Sequence, residues 1–85
     1  MDLDKILSKL GKKEKRSYLA HKRCFNQANK EYLYFPSKRD KENAYLKIEY
    51  HSRMMDEISS NGIPNNQRRK EIFKLAKKEK DSYYK

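Results

Sequence analysis

Four residues decide where this chain can break. Gly11, Pro36, Gly62 and Pro64 are its only glycines and prolines in 85 residues. So few breaks favour a handful of long helices over many short strands. The segments between them carry apolar residues at steps of three and four, the period of a helix face.

The first predicted helix covers about 3–10. Leu3, Ile6, Leu7 and Leu10 make one apolar stripe. Asp2 offers a cap, Asp4 lies where the helix dipole favours an anion, and Gly11 supplies a C-terminal stop. The second helix is expected over 13–34. Tyr18, His21, Phe25, Ala28, Tyr32 and Phe35 form a seam of coiled-coil type, widened by Leu19 and Cys24. Pro36 ends it, because the residue before a proline is pushed out of the helical region. The third helix, about 38–60, has Ser37 as its cap and Asp40 at the capping-box position. Its stripe is Ala44, Ile48, His51, Met55 and Ile58, flanked by Tyr45 and Leu46, and Glu49 and Arg53 stand as an i,i+4 ion pair. Asn61-Gly62 stops it. The fourth, about 65–80, is capped by Asn65 or Asn66 and turns Ile72, Phe73, Leu75, Ala76 and Tyr83 inward. Residues 81–85 read as a frayed tail.

The expected fold is therefore a single all-α domain over 1–85: a small bundle of three to four helices built on a long antiparallel helical hairpin. Helix one is expected across the open end of that hairpin, close to helix four. Hydrophobic residues are 35% and charged residues 40%, so the core is thin and a partner or a second copy would help to hold it. The regular seam, with Met54 and Met55 as adaptable apolar surface, makes a homodimer one way to enlarge that core.

The formal net charge is +10, and it is localised. Lys12, Lys13, Lys15, Arg16, Lys22 and Arg23 stand against Glu14 alone over residues 12–23, a net of +5. Arg68, Arg69, Lys70, Lys74, Lys77, Lys78 and Lys80 stand against Glu71 and Glu79 over residues 67–80, again +5. Elsewhere the charges cancel. A helical hairpin brings these two segments to one end of the molecule. Lysine outnumbers arginine by 16 to 6, which suits attraction to a phosphate backbone more than bidentate reading of bases.

The run from Ser59 to Lys70 invites a helix-turn-helix reading, with Gly62 in the turn and Asn65, Asn66 and Gln67 as base-contacting residues. The polar run Gln67–Glu71 departs from that motif, which buries apolar residues early in its recognition helix. His21, Cys24 and His51 could approach one another across the hairpin, but a fourth zinc ligand and the usual spaced pairs are missing, so no metal or cofactor is expected. Asp56-Glu57 is the only adjacent acidic pair, its members point in different directions on a helix, and no phosphate loop exists, so no enzyme is expected. Lone Cys24 forms no internal disulfide, and no long apolar run or signal peptide is read, which suggests a cytoplasmic protein without a membrane.

Together these features predict a small basic nucleic-acid-binding protein, DNA before RNA, with an accessory or regulatory role. Richness in Lys, Asn, Tyr and Ile suits an AT-rich phage or other mobile element. Phosphate contacts are expected from the basic residues of 12–23 and from Arg68, Arg69, Lys70, Lys74, Lys77 and Lys78. The alternative is an adaptor or inhibitor that docks on a larger protein, for instance on its nucleic-acid-binding or acidic surface. Exposed tyrosines and methionines would anchor it and lysines would steer it. Surplus aromatics could also stack on single-stranded bases.

Overall fold

The computed structural model describes residues 3–84. Asp2, the expected first cap, lies outside them. The described residues form four helices and no strand: α1 (Leu3–Ser8), α2 (Lys12–Tyr34), α3 (Lys38–Asn61) and α4 (Asn66–Tyr83). This is the expected small all-α bundle.

α2 and α3 pack as an antiparallel hairpin about Pro36. Two contacts fix their register. Close to the turn, Lys41 Nζ donates to the Tyr32 carbonyl at 2.7 Å and sits 4.9 Å from the centre of that tyrosine ring. It thus satisfies a carbonyl of the α2 C-terminus, where a cation also complements the helix dipole. Farther down, His21 meets His51. Glu49 and Arg53 pair at 3.7 Å, as their spacing predicts.

α3 and α4 form a second antiparallel hairpin. Beside the turn Arg68 pairs with Glu57 at 2.9 Å. At the far end the Tyr45 and Tyr83 rings stack, with centroids 4.7 Å apart. Those two tyrosines stand almost equally far from the turn. A helix-turn-helix crossing near a right angle would hold them tens of ångströms apart, so the Gly62 turn is the bend of a helical hairpin. Gly62 itself has φ 89° and ψ −171°, which favours glycine.

α1 stops at Ser8, short of the expected 10, and buries no residue fully. A groove of about 200 Å³ lies between its Lys5 and Ile6, with Lys9 just beyond it, and Ser59 and Ser60 at the end of α3. Gly11 has φ −69° and starts α2 as its N-cap instead of stopping α1.

The core is small. Tyr18 and Ala28 of α2, Ala44, Met54 and Ile58 of α3, and Ile72 and Ala76 of α4 are buried. Met54, expected on the surface, is 1% exposed, because it lies one turn from Ile58 on a flank of the predicted stripe, and α4 packs on α3 as well as α2 does. Leu19 and Cys24 do not widen the α2 seam; both are exposed. On α4 the covered line is the i,i+4 pair Ile72 and Ala76, while Phe73 and Leu75 on its flanks stay 45% exposed. α4 extends beyond the expected 80, into the segment read as a tail. α4 runs through Tyr83, and Tyr84 donates from its hydroxyl to that of Tyr32 at 3.0 Å.

Candidate nucleic-acid interface

α4 presents its cations because its capping and packing leave them no other place. Asn65 is the N-cap: its side-chain oxygen accepts from the Arg68 backbone N–H at 2.8 Å. That oxygen, expected to read a base, is thus committed to the helix. Asn66 and Gln67 follow on the exposed first turn.

Arg68, expected on phosphate, is ion-paired within the chain. Its Nε and Nη2 reach Glu57 Oε1 at 3.1 and 2.9 Å, and its Nη1 reaches Glu71 Oε2 at 3.0 Å. Hydrogen bonds from Arg68 and Asn61 hold the Glu57 carboxyl below the usual range. The reciprocal bonds to Glu57 and Glu71 raise the Arg68 guanidinium. This pair fastens the start of α4 to α3.

The remaining cations of α4 behave differently. Arg69, Lys70, Lys74, Lys77 and Lys78 are all exposed, and among the described residues none has a carboxylate within ion-pairing distance. Lys70, Lys74, Lys77 and Lys78 recur at steps of three and four and share one flank. Lys80 is apart from them: it is largely covered and pairs with Asp81 at 3.0 Å.

The link to α2 runs through Arg69. Burial, and then the charge of Arg69, hold the His21 imidazole below its ordinary value. Contacts show the same proximity: Tyr50 meets the His21 ring at 6.2 Å and lines one depression with Arg69, which sets the start of α4 near the predicted basic run. In that run Lys12, Lys13, Lys15, Arg16 and Arg23 are exposed and Lys22 is half-buried. The first half of α4 and the first half of α2 thus share one end of the molecule. The second half of α4 runs on to the Tyr32 end of α2.

Two features of this surface escape a count of charges. The first is a depression of about 350 Å³ lined by Tyr50, Arg69, Lys70, Phe73 and Lys74. Tyr50 and Phe73 meet there edge to face, with centroids 5.8 Å apart and planes at 71°. The period of α4 is legible in the sequence, but it places Phe73 inward. Only the narrowness of the α3–α4 contact brings it out.

The second is the histidine pair. His21 Nδ1 and His51 Nδ1 are 2.8 Å apart, one serving as donor and the other as acceptor. Burial is the main cause that lowers His51 also, followed by the charges of His21 and Lys47. Each ring thus spends its Nδ1 on the other. Cys24 lies exposed nearby in a broader depression of about 670 Å³ that His51 also lines.

Comparison with protein-family models, with curated proteins and with solved structures finds no match. The surface is therefore read from its chemistry. No helix among the described residues is long and apolar enough to cross a membrane.

Proposed function

We propose that this chain binds nucleic acid, with DNA favoured over RNA, as a small accessory or regulatory protein. One observation carries the reading: five neighbouring cations of α4 are exposed and without a carboxylate partner among the described residues, while Tyr50, which lines a depression with three of them, meets His21 in the basic first half of α2. Cations held off from carboxylates are available to phosphates, and each phosphate they neutralise releases condensed counterion. A cytoplasmic location goes with this partner.

Lys70, Lys74, Lys77 and Lys78 supply phosphate contacts in this reading, with Lys12, Lys13, Lys15 and Arg16 extending the track. Arg68 drops out of it, and Asn66 and Gln67 remain the residues free to approach a base. Titrating a duplex, a single strand and an RNA hairpin at low and moderate salt tests the proposal. Binding at low salt that falls steeply with added salt is expected, and no binding at low salt overturns it. Replacing Lys70 and Lys74 by Gln should weaken binding and flatten its salt slope by about 0.7–0.9 for each phosphate that is no longer neutralised. Arg68→Ala should act chiefly on stability.

A second reading, docking on a larger protein, draws on the tip of the α2–α3 hairpin. Leu33 is 76% and Tyr34 80% exposed, followed by exposed Phe35 and Pro36. Contiguous exposed apolar residues of this kind mark contact surfaces. Met54, the methionine expected to help anchor such a partner, is buried and cannot. Replacing Leu33 and Tyr34 by Ser should abolish a protein complex of this type and leave nucleic-acid affinity unchanged.

A further inference from the structure

We infer that the depression between α3 and α4 is a stacking site for an unpaired base of single-stranded nucleic acid, with Phe73 as the platform and Arg69, Lys70 and Lys74 holding the adjacent phosphates. The inference rests on the proposed function above and specifies its substrate: strands whose bases are free to leave the duplex.

The geometry argues for it in three steps. First, Phe73 occupies the middle of the basic helix and stays 45% exposed, although burying an aromatic ring is favourable. Ile72 and Ala76 already fill the contact with α3, so among the described residues Phe73 is covered only in part. Second, its surroundings are aromatic on one side and cationic on the others. Tyr50 abuts it edge to face at 5.8 Å, and Tyr50 in turn meets His21 at 6.2 Å and His51 at 5.1 Å. Tyr50 is thus braced from behind by the histidine pair, which gives the wall a fixed orientation. Third, the lining is almost wholly apolar inside a rim of three cations.

An apolar floor with a cationic rim selects a ligand that is flat and apolar at its centre and anionic at its edges. A nucleotide in an open strand has this form: a π-face that stacks on any aromatic ring and phosphates on either side. A paired duplex presents phosphates but keeps its bases stacked on one another, so it can use the rim and not the floor. The depression, at about 350 Å³, has room for one base. An acidic protein surface would satisfy the cations and leave the exposed ring unused.

The test is a titration of the full chain with oligo(dT), oligo(U) and a hairpin duplex at low salt. Oligo(dT) or oligo(U) should bind more tightly than the duplex. Phe73→Ala should weaken single-strand binding on the order of ten-fold, the scale of one base–aromatic stack, with an unaltered salt slope. Phe73→Leu should weaken it as well, because it keeps the apolar bulk and removes the π-face. Phe73→Trp should retain affinity, and its indole, the only one in the chain, should be quenched on binding. Circular dichroism confirms that each variant is folded, as expected for a half-exposed position. Single-strand affinity unchanged in both Phe73→Ala and Phe73→Leu, or a preference for the duplex, overturns the stacking site and leaves nucleic-acid binding standing. Absence of all binding by the unaltered chain overturns both.

Discussion

Gly11 and Gly62 both border helices, and their backbones ask for different things. Gly62 has φ 89° with open space around its Cα, so any side chain meets strain in the backbone and no clash. Gly62→Ala should therefore cost about 1–3 kcal/mol, read as a lower urea midpoint with an unchanged slope. Gly11 has φ −69°, which every residue adopts, and it makes no side-chain cap. A Cβ there would come within 2.5 Å of a Glu14 carboxylate oxygen, the end of a side chain free to swing aside. Gly11→Ser would create a capping box with Glu14 and should stabilise by a few tenths of a kcal/mol. The histidine pair sets the other residue-scale expectation. Both folded-state values lie below the ordinary 6.5. As pH falls below that value the unfolded chain takes up protons that the folded pair resists, so stability declines. The decline ends once pH is below the folded values, and above 6.5 the pair adds no pH dependence. Urea midpoints measured from neutral pH downward should show it. His51→Gln, which hydrogen-bonds and does not titrate, should flatten the profile.

At the scale of elements, the three long helices and their turns were legible because their signals are local. Pro36, Asn61-Gly62 and the three-and-four spacing of Ala44, Ile48, His51, Met55 and Ile58 lie within a few residues of what they determine. The end of α4 was not legible. Tyr84 and Tyr32 are 52 positions apart, and Tyr45 stacks on Tyr83 from another helix, so no window along the chain contains the reason that the tail is held. The same holds for the site. Arg68 reads as a surface cation until Glu57, 11 residues back on α3, is found beside it. Phe73 reads as core until α4 is seen to rest on a line no wider than Ile72 and Ala76. The clustering of charge needed only a count, and it survives in the fold with Arg68 and Lys80 subtracted. The tyrosine lock carries its own prediction. Tyr84→Phe deletes the donor to Tyr32 and leaves that hydroxyl half-buried, at a cost of about 0.5–1.5 kcal/mol. Because only the last turns depend on it, amide exchange should accelerate over residues 79–84 while the turn at Ile72 stays protected.

The molecule as a whole combines a +10 net charge with a core whose largest side chains buried to within 2% exposure, among the described residues, are Met54, Ile58 and Ile72. Self-repulsion among clustered cations works against the folded state, and this core has little surplus to offset it. Two consequences have opposite signs. Added salt screens repulsion over distances beyond about 8–10 Å at physiological strength, so the free protein should melt at a higher temperature as sodium chloride rises from low to moderate concentration. The ion pair of Arg68 with Glu57 opposes this trend, but it is one short-range attraction against many cations spread over two helices. A bound polyanion removes the same repulsion more completely and stabilises by mass action. At low salt, oligo(dT) should therefore raise the melting temperature well above that of the free chain, and added salt should erase the difference because it releases the strand. The two melting curves should converge as salt increases, the free one rising and the bound one falling. Curves that stay parallel would mean that the excess charge neither burdens the fold nor holds the strand. In the quadruple variant with Lys70, Lys74, Lys77 and Lys78 replaced by Gln, the free protein should already melt higher at low salt and gain little from the strand. Stability and binding would then be tied to the same cations of α4.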